Sequence, residues 1–292
     1  TLADITPIWE GGRRLAIMPP ANRKIYTWVD LNDNKLADSS EFISFDTTNQ
    51  SKIAGYLNLS GAPAAYTAAN VINFIRGTQV TGLRDRILTV KDDSNVPTPM
   101  VWKLGDSVYS TPVVVAGPKE RYDVLYGDAS YTAFFQQYRN RRQVAYLGAN
   151  DGQMHAFNVG FYNKGDDTVG TPATIESGWF SNTTTADGRG VNRGDELWSF
   201  IPQELLPHLR WLADTAYTHV YYADLKPKIT DARIFTPDAD HPGGWGTILI
   251  GGFRMGGSCG NCTGGQGTPM TFTGDFNNDG SVDAARSFFS AY

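Results

Sequence analysis

The sequence at residues 146–157 is YLGANDGQMHAF, and it predicts a β-hairpin. One apolar run ends at Gly148, the turn residues Asn150–Asp151–Gly152 follow, and a second apolar run extends from Met154 to Phe157. Asp-Gly between two such runs is a strong short-range hairpin signal, because Gly supplies the positive φ that the turn requires. We therefore expect the chain to fold mainly from strand–turn–strand units.

The composition agrees with a β-rich protein and excludes several other classes. The 292 residues include 31 Gly, 12% aromatic and only 19% charged side chains, with a net charge of −5. The chain is too aromatic and too weakly charged to be disordered, and too poor in Lys and Arg to be a typical nucleic-acid-binding protein. No apolar run approaches the roughly 20 residues of a membrane-spanning helix, so none is predicted.

The remaining sequence predicts more strands, two helices and long loops. The first helix is expected over Thr67–Arg76, with Thr67 as its N-cap and Gly77 just after its end. Long inserted loops rich in Gly, Thr, Asn and Asp are expected at 160–195 and 253–286, because such composition does not support a packed element. The second helix is predicted at 203–213, and strands are predicted at 23–29, 42–45, 111–116, 143–147, 219–222, 233–235 and 247–250. Few helices among many short strands favour a sandwich, a barrel or a propeller.

The first of two Asp/Asn-rich loops has the spacing of a 12-residue calcium-binding loop. Oxygen-bearing side chains occupy positions 1, 3, 5, 9 and 12, and position 7 offers a backbone carbonyl. Lys35 is at position 6, where Gly usually adopts a left-handed conformation. That conformation costs about 1–2 kcal/mol for a residue with a side chain. The predicted ligands are Asp30, Asn32, Asn34, Leu36, Asp38 and Glu41.

The second loop is a nine-residue variant of the same pattern. It has Gly280 at position 6, but Arg286 at position 12 is not a ligand, so we expect the loop to be closed at position 9. Its predicted ligands are Asp275, Asn277, Asp279, Ser281 and Asp283. Since neither loop lies between two long helices, an EF-hand protein is not expected. A structural or regulatory Ca²⁺ site in an extracellular β protein, with a dissociation constant on the order of 10⁻⁴–10⁻³ M, fits better. The alternative for both loops is a solvated turn.

Weaker motifs do not predict an enzyme. Cys259 and Cys262 are expected to form a small disulfide, with free thiols as the alternative. Ser258 matches a nucleophile-elbow pattern, but the residues after it do not start the helix that this chemistry needs. The four histidines lack metal-ligand spacing and are interpreted as structural. The tripeptide at 193–195, Arg-Gly-Asp, is common by chance, although some adhesins present it to receptors.

A series of segments in chain order resembles the PilY-type proteins, which are associated with the tip of type IV pili. The most specific segment is 146–157, which also resembles the blade repeat of quinoprotein-type propellers. The other segments lie at 9–27, 71–77, 83–86, 102–112, 196–202, 206–212, 217–219 and 246–252. No single motif is decisive, but the ordered set covers most of the chain from about residue 9 to 252.

The resemblance implies a fold and a role. The fold is an all-β-dominated, modified quinoprotein-like β-propeller with a few short helices and long inserted loops, incomplete in this chain. Residues 1–292 would form one propeller domain or its front portion: an initial segment at 1–100 with the first loop, then blades at 101–292.

The implied role is non-enzymatic and depends on Ca²⁺, bound by a loop of the form D-x-[DN]-x-[DN]-x-x-x-D. It comprises pilus assembly, control of retraction and twitching motility, and surface adhesion. The implied partners are the minor pilins of the pilus tip and a host or abiotic surface. The implied location is extracellular, at the pilus tip or outer membrane of a Gram-negative bacterium. Two alternatives stay open: a quinoprotein-like dehydrogenase propeller and an extracellular carbohydrate-binding β domain.

Overall fold

The computed structural model describes residues 7–164, 179–181, 191–254 and 270–288. Its α-helices are α1 Gly11–Ile17, α2 Gln50–Ala54, α3 Ala68–Arg76, α4 Tyr122–Leu125, α5 Ala129–Tyr138 and α6 Leu209–Leu212. Its strands are β1 Ile25–Trp28, β2 Phe42–Ser44, β3 Ile87–Lys91, β4 Pro97–Val101, β5 Val113–Val115, β6 Gln143–Gly148, β7 Met154–Asn163, β8 Trp179–Ser181, β9 Glu196–Ile201, β10 Lys228–Arg233, β11 Trp245–Ile250, β12 Met270–Phe272 and β13 Arg286–Phe288.

Seven strands form one mixed sheet in the order β2-β1-β9-β7-β6-β5, with β8 paired to β7. The predicted hairpin at 146–157 is confirmed, since β6 and β7 pair antiparallel and Gly148 lies opposite Met154. Strands β1 and β9 are parallel, with Ile25 opposite Ser199. The initial segment and the region after residue 195 therefore share one sheet, although they are far apart in sequence.

The other described strands form three two-stranded sheets, β3-β4, β10-β11 and β12-β13. A sheet-rich fold with few short helices is thus confirmed. The described strands form one large sheet and separate hairpins rather than a ring of four-stranded units, so the propeller stays a prediction.

Helix α3 forms where the sequence predicts it. The Thr67 hydroxyl accepts a hydrogen bond from the Asn70 N–H at 3.2 Å, and Gly77 ends the helix in the left-handed conformation, with φ +107°. Its apolar stripe joins the main core, which packs against the sheet and the residues of α6. This core includes the fully buried Val71, Ile72, Phe74, Tyr56 and Phe276.

Several predicted elements differ from the structure. The strand predicted at 233–235 overlaps a strand of the structure only at Arg233, where β10 ends. The predicted strand at 219–222 is wrong: the chain there has only an isolated bridge at residue 221, and the Tyr222 N–H donates to the Asn150 side chain at 3.0 Å instead of to a strand. The predicted helix at 203–213 is a 3-10 helix over Gln203–His208 followed by α6, because Pro207 lies inside it. The loops expected at 160–195 and 253–286 contain the end of β7, β8, β12 and the start of β13.

Candidate metal centres and a buried charge network

The first calcium-type loop is organised by two nearly buried carboxylates. Asp30, 1% exposed, accepts hydrogen bonds from the N–H groups of Asn34 at 3.1 Å and Lys35 at 3.2 Å. Glu41, 2% exposed, accepts from the Leu31 N–H at 2.8 Å. The carboxylates at positions 1 and 12 therefore hold the chain in a closed curl.

The amide side chains complete the inner ring of the same loop. The Asn32 oxygen accepts from the Asn34 N–H at 3.1 Å, and the Asn34 oxygen accepts from the Leu36 N–H at 2.7 Å. The amide groups of Asn32 and Asn34 both donate to one oxygen of Asp38, at 2.8 and 3.0 Å. The side chains at positions 3, 5 and 9 are therefore hydrogen-bonded to one another.

The second loop repeats this pattern on a more exposed surface. Asp275 accepts from the N–H groups of Asp279 and Gly280, both at 3.0 Å. Asp283 accepts from the Phe276 N–H at 2.8 Å and the Asn277 N–H at 3.2 Å. Asn277 and Asp279 in turn accept from backbone N–H groups two residues ahead.

The two loops share the hydrogen bonds made at positions 1, 3, 5 and 6, although their closing residues differ. Glu41 at position 12 of the first loop and Asp283 at position 9 of the second accept the same pair of N–H groups, those of positions 2 and 3. Position 6 is left-handed in both, with φ +62° at Lys35 and +88° at Gly280. A nine-residue loop closed by Asp283 is therefore a self-contained version of the twelve-residue one.

The donor sets fit a hard cation in kind. Each oxygen of Asp30 and Asp275 accepts one N–H and keeps a further lone pair. Carboxylate, amide and carbonyl oxygens are the ligands that Ca²⁺ takes. In the described parts of the chain no three His, Cys, Asp or Glu side chains form a metal-binding group by themselves. Both candidate sites therefore depend on Asn, Ser or backbone oxygens as well. The residues that would hold Ca²⁺ are those predicted from the spacing.

Arg286 joins the two loops. Its guanidinium donates to the Asp30 carbonyl at 3.0 Å and lies 3.4 Å from an Asp33 carboxylate oxygen. It also lies over the Phe276 ring of the second loop, 4.7 Å from the ring centre. The Tyr56 hydroxyl donates to the same Asp30 carbonyl at 2.7 Å. Position 12 of the second loop thus supplies a contact to the first loop in place of a ligand.

A buried charge network lies beneath the predicted hairpin. Arg23 and Glu196 form a bidentate ion pair with N–O distances of 2.8 and 2.9 Å, and both side chains are fully buried. The His155 ring bonds to Glu196 at 2.8 Å through Nδ1 and to Asp151 at 3.0 Å through Nε2. Arg23 also donates to the Ile75 carbonyl at 3.0 Å. The network ties the initial segment, α3, the hairpin and β9 together.

The charges of this network stabilise one another. Burial alone would lower the pKa of His155, but Asp151 and Glu196 outweigh it and raise that pKa to about 9. Burial alone would raise the pKa of Glu196, but Arg23 and His155 outweigh it and lower that pKa to about 2. At neutral pH His155 and Glu196 are therefore both charged, and each lies within bonding distance of an oppositely charged partner.

The structure bears on some of the weaker motifs. The Asp195 carboxylate of the Arg-Gly-Asp tripeptide is 8% exposed as a residue and pairs with Arg14 at 2.6 Å, so it is not presented to a receptor. Cys259, Cys262 and Ser258 lie outside the described residues. No helix in the described residues is long and apolar enough to cross a membrane.

The chain is similar to several proteins of type IV pilus biogenesis. It is 30% identical over 209 residues to a type IV pilus biogenesis factor PilY1 homolog of Xylella fastidiosa, covering 68% of this chain and 13% of that protein. It is 26% identical over 263 residues to type IV pilus biogenesis factor PilY1 of Pseudomonas aeruginosa, covering 86% and 18%. A further PilY1 homolog of X. fastidiosa is 28% identical over 163 residues, covering 53% and 8%. No protein-family model and no solved structure matches the chain. The chain spans less than a fifth of the length of these relatives.

Proposed function

We propose that this chain, which is related to the PilY family, belongs to a type IV pilus biogenesis factor that binds Ca²⁺. The observation that carries the pilus role is the similarity to PilY1 proteins, which extends over up to 86% of the chain. The relatives are named as biogenesis factors and not as enzymes, which supports a non-enzymatic role.

The proposed role has several parts. The protein would act at the pilus tip, outside the cell of a Gram-negative bacterium, in contact with minor pilins and with a host or abiotic surface. It would promote pilus assembly, oppose retraction during twitching motility and contribute to adhesion. Because the Asp195 carboxylate is engaged by Arg14, we propose that adhesion does not use the Arg-Gly-Asp tripeptide.

The Ca²⁺ proposal rests on the shared geometry of the two loops. Two segments about 245 residues apart in sequence adopt one hydrogen-bond pattern around the same positions, including a left-handed residue at position 6. Lys35 takes a left-handed backbone conformation that is costly for a residue with a side chain. Enclosure of a cation by positions 1, 3, 5 and the closing carboxylate would offset the cost of that conformation.

Calorimetric titration with CaCl₂ tests this part of the proposal. We expect the unmodified chain to take up Ca²⁺ with a dissociation constant on the order of 10⁻⁴–10⁻³ M. Asp30→Ala and Asp275→Ala should each remove uptake at their own loop. Asp240→Ala, which changes an exposed carboxylate outside both loops, is the control and should leave uptake unchanged. Unchanged uptake in both loop variants would contradict Ca²⁺ binding.

The pilus role is tested separately in the full-length protein. The gene is deleted in the bacterium that encodes it and replaced by the unmodified gene, or by alleles carrying Asp30→Ala, Asp275→Ala or Asp240→Ala. We expect the deletion to lose surface pili and twitching, the Asp240→Ala allele to restore both, and the loop variants to restore them incompletely. Normal piliation in the deletion strain would contradict the biogenesis role whatever the calorimetry shows.

A further inference from the structure

A cavity of about 320 Å³ next to the hairpin turn is lined by three cationic side chains, Arg84, Arg86 and Lys103. It lies between the start of β3, the segment at 102–106, the turn at 150–153 and the segment at 217–219. A volume of about 300 Å³ is at the lower end of small-ligand sites. The cavity is separate from both calcium-type loops.

These cations have no carboxylate partner within 4 Å among the described residues. Lys103 is 4% exposed and donates only to carbonyl groups, those of Leu15 at 3.1 Å, Ala16 at 2.8 Å and Val101 at 3.5 Å. Arg84 lies over the Tyr217 ring at 4.0 Å.

Arg86 likewise has contacts with a ring and a carbonyl group instead of a carboxylate. It lies over the Phe74 ring at 3.6 Å and donates to the Phe74 carbonyl. In all three cases ring faces and carbonyl dipoles take the place of a counter-ion.

Three carboxylates line the same cavity, and each is hydrogen-bonded to a group of the fold. Asp85 accepts from the Ile87 N–H at 2.9 Å. Asp151 accepts from the Gly105 N–H at 2.9 Å and bonds to His155. Asp106 accepts from the Asn150 amide at 2.9 Å and lies 2.9 Å from the His219 ring. The three carboxylates therefore have hydrogen-bond donors in the fold, whereas the three cations have no carboxylate within 4 Å among the described residues.

Three buried donors of this cavity's lining have no hydrogen-bond partner. They are the Nε atoms of Arg84 and Arg86 and the amide nitrogen of Gln153, which is 1% exposed. An unsatisfied buried donor costs about 1–3 kcal/mol, so three at one cavity indicate missing acceptors. Burial and the neighbouring cations lower the pKa of Arg86 to about 9 and that of Lys103 to about 8, which is the response expected of uncompensated positive charge.

We infer that this cavity binds a small, multiply charged oxyanion, a carboxylate or a phosphate, through the guanidinium groups of Arg84 and Arg86. Guanidinium groups match the geometry of both oxyanions and can bind either with two parallel hydrogen bonds. Lys103 adds charge from the cavity wall. Non-specific attraction does not explain such a site, because the chain carries a net charge of −5.

Titration with inorganic phosphate and with succinate, at constant ionic strength in buffer freed of calcium on a chelating resin, tests the inference. We expect calorimetry and thermal melting to show saturable binding of one anion or both. The anion that binds identifies the ligand class as phosphate or carboxylate. Binding of neither overturns the inference. Because calcium is absent, the result does not depend on the two loops.

Variants at the half-buried Arg84 supply the decisive comparison. Arg84→Gln should weaken binding about tenfold or more. Arg84→Lys, which keeps the charge but loses the planar guanidinium that can bind with two hydrogen bonds, should weaken binding less. Arg139→Gln, which removes an exposed cation outside the cavity, is the matched control and should bind as the unmodified chain does. Equal binding by Arg84→Gln and Arg139→Gln would overturn the inference. Arg84 is chosen for substitution because it is less buried than Arg86, so that its replacement perturbs folding less.

Discussion

Glu196→Gln is the substitution that tests the buried charge network most directly. The Glu196 side chain is fully buried and bonds to Arg23 through both oxygens, with His155 also bonded to one of them. Glutamine keeps the shape but removes the charge, so Arg23 and His155 lose the carboxylate between them. Removing one partner of a buried ion pair costs about 3–5 kcal/mol, because the other charge stays in a poorly solvated site.

This cost is large against a total stability of about 5–15 kcal/mol. For a chain of this size each kcal/mol shifts the melting temperature by roughly 2–4 °C, so a fall of roughly 6–20 °C is expected. Urea unfolding gives the free energy of unfolding, and thermal melting gives the shift. Asp93→Asn is the matched control, because Asp93 pairs with Arg14 on the surface with a side chain 57% exposed, and such pairs contribute about 0–1 kcal/mol.

The pH dependence of stability gives the network a second signature. The folded pKa of His155, about 9, lies above its ordinary 6.5, so its contribution is complete below pH 6.5 and is lost as the pH rises to 9. The folded pKa of Glu196, about 2, lies below its ordinary 4.5, so its contribution is complete above pH 4.5 and is lost as the pH falls to 2. Glu196→Gln should remove the acid loss and reduce the alkaline one.

Two results would refute this reasoning. One is a Glu196→Gln variant within about 1 kcal/mol of the unmodified chain, a difference typical of a surface pair. The other concerns the double variant Arg23→Met/Glu196→Met. Replacing both partners of a buried pair with apolar side chains is often nearly neutral, so it should be more stable than Glu196→Gln alone. A double variant less stable than the single one would show that the pair is not the source of the cost.

Three further changes test the loops. Lys35→Gly should raise the free energy of unfolding by up to about 1 kcal/mol in urea, because relief of about 1–2 kcal/mol of left-handed strain exceeds the extra chain entropy of Gly; a less stable variant would contradict the strain. Arg286→Met should lower it by about 1–3 kcal/mol, since it breaks the hydrogen bond to the Asp30 carbonyl, and an unchanged urea midpoint would mean that this contact is dispensable. Gly55→Ala should cost about 1–3 kcal/mol or more by the same measurement, because its Cβ would lie 1.9 Å from the Asp275 carbonyl oxygen; wild-type stability there would disprove the close approach of the two backbones.

Sequence reasoning succeeded where local chemistry determines local structure. Helix α3 has a hydroxyl N-cap, an apolar stripe and a Gly at its end, and the hairpin at 146–157 has its turn residues between two apolar runs. Hairpin β3-β4 was missed because Ile87 and Leu88 are both exposed, and because Pro97 and Pro99 argue against a strand.

Features that depend on distant residues left no local signal. Helix α5 begins at a good cap, Asp128, but buries only Tyr131 and Phe134 and so shows little periodicity. The charge network joins residues 23, 155 and 196, which become neighbours only because β1, β7 and β9 are adjacent in the sheet. The spacing of the predicted ligands within each calcium-type loop is visible in the sequence, but the contact between the two loops is not.

That contact follows from the shorter second loop. Asp283 accepts the second-loop N–H groups that are equivalent to those accepted by Glu41 in the first loop. Position 12 of the second loop is therefore not needed to close that loop. Arg286 occupies position 12, and its guanidinium group donates a hydrogen bond to the carbonyl of Asp30, the first residue of the other loop. Gly55 brings the backbones within contact, and the neighbouring Tyr56 bonds to the same carbonyl. The two loops are therefore parts of one packed unit. A substitution at either must be measured at both, because loss of order in one removes contacts that hold the other.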